Sequence, residues 1–396
     1  MLTRRFGRTE LQMPVFSCGG MRYHYKWQDV PLDEVPPEKQ AHLEATIGRS
    51  LELGINHIET ARDYGSSERQ LGLVLPTFPR DQIIVQTKIA PTADPEQFVQ
   101  HFQESLERLQ LQRVDLLAFH GVNTYKHLWQ TLRPQGCLEA ARKLQKKGLA
   151  DHIGFSTHGT TEFILDAIAH EDNGGFDYIN LHWYYIFQDN WPAIAAAAER
   201  DMGVFIISPS SKGGMLYKPS PKLVELCQPV HPLVFNCLFC LAQREVHTLS
   251  LGASCPADFD LQVSTLEHLD RSSVILPTII ARLREALVDT VGSDLADRYA
   301  EGLPDWENTP GFMNIPAMLW LRNLALAFDM QEFAKTRYNL LGNGSHWFPG
   351  SNAAHLDELD IEKAIQSSPF AEQIPDWLRE CHAKFYTHPQ KRVSQS

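Results

Sequence analysis

The sequence predicts an α/β fold, a (β/α)₈ TIM barrel followed by a C-terminal helical extension. The first observation behind this is a count: eight short apolar or β-branched runs lie at residues 15–18, 55–58, 83–85, 114–119, 153–155, 178–181, 204–207 and 248–251. The second is their alternation with segments of helical periodicity, the pattern of parallel strands joined by crossover helices. The third is length. Such a barrel takes roughly 250 residues, and the alternation runs from residue 16 to residue 270 of 396. An open doubly wound sheet fits less well, because no G-x-G-x-x-G follows an early run.

Ahead of the first run, residues 3–14 with Gly7-Arg8-Thr9 as turn chemistry read as a hairpin that caps the bottom of the barrel. Phe98, Phe102, Leu106 and Leu109 recur at helical spacing, as do Leu138, Ala141 and Leu144, the latter stopped by Lys146-Lys147-Gly148. The barrel is assigned to residues 1–270 and a helical domain to 271–396. That second domain opens with the run 274–291, passes through Gly302-Leu303-Pro304-Asp305-Trp306, and starts another apolar helix at Pro316.

Composition excludes several functions. The 36 basic and 48 acidic residues give a formal charge of −12, and no Lys/Arg block exceeds a pair, so a nucleic-acid groove is not expected. Neither a signal peptide nor a membrane span is read: the two arginines near the start precede no apolar run, and the apolar stretch from Ile315 to Phe328 is short and interrupted by Arg322 and Asn323. Seven scattered cysteines, an odd number, suit reduced thiols and a cytoplasmic protein. Cys237-x-x-Cys240 lies in the apolar stretch 233–241, which favours buried core cysteines over a redox or metal pair, and no metal site is expected.

The chemistry gathers where barrel strands end, since their C-terminal ends face the mouth. The second run leads into His57-Ile58-Glu59-Thr60-Ala61-Arg62-Asp63-Tyr64, the third into Gln86-Thr87-Lys88, and the fourth into Phe119-His120-Gly121. Singly, Tyr64 reads as a rim aromatic, Lys88 as a solvated strand end and His120 as a core histidine. Together they define a function: an ammonium beside a phenol lowers the phenol towards neutrality, and a carboxylate holds that ammonium in place. A tyrosine tuned this way protonates a carbonyl oxygen as hydride arrives.

These residues resemble the aldo-keto reductase superfamily, whose pattern G-x-x-x-x-D-T-A-x-x-Y-G-x-S-E is matched from Gly54 to Glu68, with Glu59 where the family has aspartate. The match continues through Gln86-Thr87-Lys88, Asp115-Leu116-Leu117-Ala118-Phe119-His120 and Ile153-Gly154-Phe155-Ser156. The resemblance implies Tyr64 as general acid, Lys88 and Glu59 as its tuning partners, and His120 as the group that orients the carbonyl. It also implies an NADP(H) or NAD(H) cofactor.

At the implied cofactor site, Ser156, Thr157 and Asn180 match the positions that hold the nicotinamide amide. Ile207 takes the place of the stacking aromatic, giving dispersion contact without π-stacking. Gly20 and Met21 close the first strand. The stretch Ser208-Pro209-Ser210-Ser211-Lys212-Gly213-Gly214 resembles the family's pyrophosphate-covering loop. Ser254, Asp258 and Gln262 fall at the adenosine end, where Asp258 opposes a 2′-phosphate and leans towards NADH while the family leans towards NADPH. Arg22, beside Tyr23, His24 and Trp27, reads either as a pocket-rim cation for an anionic substrate or as part of a surface loop.

The overall plan resembles a bacterial subgroup with a ferredoxin-like C-terminal domain carrying an iron–sulfur cluster. Such clusters need four thiolates at close spacing, and beyond residue 255 the chain has only Cys381. The extension therefore reads as degenerate and without a cluster, and as a possible surface for a protein partner. Two functions follow: an NAD(P)H-dependent oxidoreductase reducing a small-molecule aldehyde or ketone, or a catalytically weak barrel acting as a nucleotide-sensing or partner-binding protein.

Overall fold

In the computed structural model, which describes residues 1–211, 214–342 and 349–387, a short antiparallel pair precedes a closed parallel barrel. Strands β1 (Thr3–Arg5) and β2 (Gln12–Pro14) form the pair. The barrel strands are β3 (Phe16–Gly19), β4 (His57–Glu59), β5 (Ile84–Ile89), β6 (Val114–Phe119), β7 (Ala150–Ser156), β8 (Tyr178–Leu181), β9 (Gly203–Ile206) and β10 (Thr248–Leu251). They follow one another round the barrel in chain order, and β10 closes on β3. The expected (β/α)₈ barrel with a helical C-terminal region is what the chain forms.

Two strands run past the apolar runs that announce them. β5 continues through Gln86, Thr87 and Lys88 because the ladder to β6 pairs Gln86 with Leu116 and Lys88 with Ala118. The polar side chains at 86 and 88 thereby share one face with the core-lining positions of their neighbours, two residues apart along the strand. β7 likewise starts at Ala150, ahead of Ile153, because Val114 and Leu116 pair with Ala150 and His152.

The hairpin seals one end. Phe6 and Met13 are fully buried against Leu116, Ala118, Tyr178 and Phe205, and the Phe6 ring lies 5.7 Å from that of Tyr178. Losing a buried aromatic of this kind costs about 3–5 kcal/mol. With that end filled by side chains, the C-terminal strand ends are where a barrel of this kind takes its ligands.

The crossover helices form for the reasons read in the sequence. Asp94 caps Pro95–Leu109 by accepting from the Glu96 amide at 3.0 Å, and Gln110 ends it in a left-handed conformation. Phe98, Phe102, Leu106 and Leu109 supply its buried stripe. Leu138, Ala141 and Leu144 do the same for Cys137–Lys146.

The chain divides into two compact units, Met1–Tyr217 with Leu233–Ser272, and Lys218–Pro232 with Ser273–Arg392. The stretch 218–232, which the sequence assigns to the barrel, groups with the second unit because its side chains and carbonyls bond there. Ser220 Oγ donates to the Phe328 carbonyl at 2.8 Å, and Arg282 donates to the Gln228 carbonyl. The second unit is helical, with Ile315–Phe328, Gln331–Tyr338 and Ile374–Phe385 enclosing Met318, Leu321, Phe333, Tyr338 and Cys381. Residues 343–348, in the stretch expected to correspond to a cluster loop, lie outside the described residues. Among the described residues no helix is long and apolar enough to cross a membrane, and no three His, Cys, Asp or Glu side chains gather as a metal-ligand set. Cys237 and Cys240 are fully buried, and burial pushes the Cys237 thiol up to about 12.

Candidate active site

Strands β4, β5 and β6 bring the sequence-predicted catalytic residues together. Glu59 ends β4 and pairs in register with Gln86, so Lys88, two residues further along β5, rises beside it on the same face. The two side chains are only 3% and 2% exposed and form a contact ion pair. Lys88 Nζ also donates to the Thr60 carbonyl at 2.9 Å and to Tyr64 Oη at 3.3 Å. Each of the three lysine N–H groups therefore has an acceptor, which is how a buried ammonium is tolerated.

Tyr64 reaches this position through the turn after β4. Gly65 takes φ +50°, and a Cβ there would fall 2.0 Å from the Lys26 carbonyl oxygen. Only glycine lets the loop carrying Lys26 and Trp27 pass so close. That loop supplies a wall: the Trp27 ring meets Tyr64 edge-on at 5.9 Å, and His24 meets Trp27 at 4.7 Å. The His120 ring stands at 5.5 Å and 83° to Tyr64 on the other side.

Burial pushes the Tyr64 phenol above its ordinary value, and the neighbouring Asp63 carboxylate adds to the effect. The lowering towards neutrality expected from Lys88 is thus opposed by desolvation, which the sequence does not display. The phenol is held in its protonated form, the form that donates. Burial also drives Lys88 well below the usual lysine range, while the Glu59 carboxylate against it favours the charged form.

Two residues that sequence reasoning passed over complete the picture. Asp63 Oδ2 lies 3.0 Å from His120 Nδ1; the signal was its place next to Tyr64, at a variable position of the motif. Glu68, the last motif residue, is buried and structural: it accepts from Thr87 Oγ1 at 2.6 Å and faces Arg108 at 3.6 Å, tying β5 to its flanking helices.

The predicted cofactor residues follow the C-terminal ends of several barrel strands in the chain. A Cβ at Gly20 would touch the Glu59 carbonyl at 2.7 Å, and Met21 beside it is half-buried. Ser156 Oγ accepts from the Gly121 amide at 3.0 Å, and Thr157 Oγ1 donates to the Val122 carbonyl at 2.8 Å. Asn180 is fully buried, and neither its Oδ1 nor its Nδ2 has a hydrogen-bond partner. After β9, Ile207 is half-buried, Ser210 is buried, and Ser208 and Ser211 adopt left-handed backbone with φ of 59° and 57°. Lys212 and Gly213 lie outside the described residues.

At the far end, Asp258 Oδ2 accepts from both the amide and the hydroxyl of Ser254 at 2.7 Å. Gln262 is buried and accepts from Tyr217 Oη at 2.7 Å. Arg22 is tied down rather than displayed at the rim: it donates to the Gly252 carbonyl, lies 5.2 Å over the Tyr217 ring and approaches Asp258 at 3.9 Å.

A model of the Aldo/keto reductase family matches residues 17–218, a span holding the strand-end residues from β3 to β9. The chain belongs to the aldo/keto reductase family. As a member it is an oxidoreductase enzyme of a family that uses NAD(P)H. L-galactose dehydrogenase of Arabidopsis thaliana is 26% identical over 297 residues, covering 67% of this chain and 88% of the plant protein. The fold matches that of an aldo-keto reductase from Bacillus halodurans in its holo form, at 20% identity over 71% of this chain and 96% of that one, with a TM-score of 0.59. An aldose reductase from Schistosoma japonicum gives 18% identity, 70% and 93% coverage, and a TM-score of 0.51.

Proposed function

We propose that this aldo/keto reductase interconverts a small-molecule aldehyde or ketone and its alcohol, with Tyr64 giving and taking the proton at the substrate oxygen. The observation that carries the reading is the buried set in which Glu59 holds Lys88, Lys88 reaches Tyr64 Oη at 3.3 Å, and His120 flanks the phenol. The substrate oxygen sits between Tyr64 and His120. As hydride reaches the carbonyl carbon, Tyr64 Oη–H releases its proton to the developing alkoxide, and the ammonium of Lys88 stabilises the phenolate left behind.

The orphaned amide of Asn180 supports a nicotinamide cofactor. A buried amide with no partner costs about 1–3 kcal/mol, and a carboxamide offers the donor and acceptor it lacks. Ser156 and Thr157 would flank that group, with Ile207 against the ring. Ser208 and Ser211 hold left-handed backbone, a conformation that recurs in anion-binding turns, and Ser210 with Lys212 and Gly213, next in the sequence, would cover the phosphates. Ser254, Asp258 and Gln262 would meet the adenosine. NAD(P)H supplies the hydride; the residues named hold it, orient the substrate and move the proton.

The name of the plant relative makes a sugar alcohol–carbonyl pair the first substrate to try. The second unit is read as a helical, degenerate ferredoxin-like domain without a cluster, available to a protein partner. Titrating NADH and NADPH against quenching of the eight tryptophans, followed by reduction of p-nitrobenzaldehyde, tests the core of the reading. Binding of neither cofactor would sink it.

A further inference from the structure

We propose that Asp29 is a positioning residue for substrate: its carboxylate clamps the loop after β3 onto the helix that follows Tyr64, and so fixes the Trp27 wall against which an aldehyde or ketone packs beside the phenol. The inference rests on the proposed active site and deepens it, because it says what holds one side of the substrate pocket in place. Between β3 and the helix Pro37–Glu52 the chain forms no strand or α-helix, only a short 3₁₀ turn at Leu32–Glu34. A connection of that length takes one position only where bonds made along it offset the lost backbone freedom. Here the bonds converge on the helix Ser67–Val74 and the residue before it. The Tyr25 amide donates to Gln70 Oε1 at 2.8 Å, the Lys26 amide donates to Ser66 Oγ at 3.1 Å, and the Ser66 amide returns a bond to the Lys26 carbonyl at 3.0 Å.

Two residues beyond Trp27, Asp29 closes the set with charge. Its Oδ1 and Oδ2 accept from Arg69 Nε and Nη2 at 2.6 and 3.2 Å, and Oδ2 lies 2.7 Å from Arg108 Nη2. A fork-on pairing of this kind orients the carboxylate as well as holding it. Helix packing explains why two guanidinium groups meet one carboxylate. A Cβ on Gly72 would fall 2.1 Å from the Arg108 carbonyl oxygen, so glycine there lets Ser67–Val74 and Pro95–Leu109 run close enough for Arg69 and Arg108 to share Asp29. Buried Glu68, 3.6 Å from Arg108 Nη1, gives the second arginine another counter-charge.

The clamp reaches the phenol through Trp27, whose ring meets that of Tyr64 at 5.9 Å and 77°. Asp29 and Arg69 are 30% and 36% exposed, and ion pairs this open contribute little to global stability. Their effect is local. They hold the wall in its bound position before substrate arrives, an ordering that binding would otherwise have to supply.

The test uses the full chain with saturating cofactor and p-nitrobenzaldehyde. Asp29→Asn keeps the shape but leaves two guanidinium groups without a charge to share, so KM is expected to rise about three- to tenfold while kcat stays within about twofold, the signature of lost uniform binding. Asp29→Glu, which keeps the charge, lies nearer to wild type. Trp27→Leu raises KM as well, and the double variant rises no further than Trp27→Leu alone, because both changes remove the same wall. Hydrogen exchange reads the clamp without turnover: in Asp29→Asn the Tyr25 and Lys26 amides exchange about fivefold faster or more, with the unfolding midpoint unchanged. An unchanged KM in Asp29→Asn, effects that multiply in the double variant, or unchanged exchange at those amides overturns the proposal. Tyr64→Phe separates the two layers: full turnover in that variant defeats the proton-donor reading and leaves the coupling of Asp29 to Trp27 standing. A dead Tyr64→Phe with unchanged exchange in Asp29→Asn defeats only the role of Asp29.

Discussion

A Cβ placed on Gly19 would lie 3.2 Å from Glu59 Oε2, so the first barrel strand leaves open the space that the longer carboxylate fills. Ser250 Oγ approaches the same oxygen at 3.5 Å from β10. The departure from aspartate read in the motif is therefore met by its neighbours, and the extra methylene does not break the pairing with Lys88.

Gly19→Ala tests that relationship. The new methyl would fall 2.4 Å from Ser250 Oγ and 3.1 Å from the Leu251 carbonyl as well. Overpacking of this kind costs about 1–3 kcal/mol, and turnover should fall along with the displaced Glu59. Urea unfolding and initial rates check it; a variant as stable and as active as wild type would show that Glu59 has room to spare.

Lys88→Met addresses the buried ion pair. Removing one partner strands a carboxylate that is 3% exposed, with an expected loss of about 3–5 kcal/mol. Adding Glu59→Gln should recover part of the loss, because no buried charge remains. Denaturant unfolding of the single and double variants decides it, and a double variant less stable than Lys88→Met would contradict the pairing.

The layer beneath the catalytic set predicts an acid-side stability loss. His57 Nδ1 is 2.6 Å from Ser17 Oγ, which is 2.7 Å from Thr248 Oγ1. Burial, then the charge of Lys88, lowers His57 from 6.5 to about 3. A histidine depressed on folding takes up protons in the unfolded chain first, so stability is complete above about pH 6.5 and declines as pH falls towards 3. A shift of that size corresponds to roughly 4–5 kcal/mol. His247, lowered to about 4 mainly by burial, acts in the same sense. His57→Gln should flatten the pH dependence between about pH 6 and 4 without abolishing the part due to His247; an unchanged slope would place the titration elsewhere.

Much of this was legible because the barrel repeats one unit eight times and strand ends must face the mouth. Tyr64, Lys88, His120 and Glu59 carried their own signal through spacing and type. What stayed hidden was partnership. Asp63 looked like filler until the turn at Gly65 brought it to His120, and Lys26 had no visible reason to constrain that glycine. Asp258 looked free to read a ribose until Ser254 claimed one of its oxygens. Arg22 read equally as a rim cation or as part of a surface loop, and its ties to Gly252 and Tyr217 were not visible. The segment 218–232 reads as barrel by continuity, and its packing partners lie about a hundred residues later, as with Ser220 and Phe328. Long-range pairing of that sort leaves no local trace.

Asp258 is the residue expected to weigh on cofactor preference. Asp258→Asn keeps an acceptor for the Ser254 amide while removing the charge, so the loop should hold and the NADPH-to-NADH affinity ratio should rise by about threefold or more, a fraction of the Coulomb term at an open cleft edge. Paired titrations measure it. An unchanged ratio would mean the adenosine ribose is read away from this carboxylate.

The most direct measurement of the central claim is the single-turnover rate of p-nitrobenzaldehyde reduction by Tyr64→Phe with saturating cofactor. Removing the Oη–H should lower the rate at least about a hundredfold, the lower range for a lost general acid, with cofactor affinity and unfolding midpoint close to wild type. A variant that transfers hydride at the wild-type rate would contradict the account and move the proton to another group.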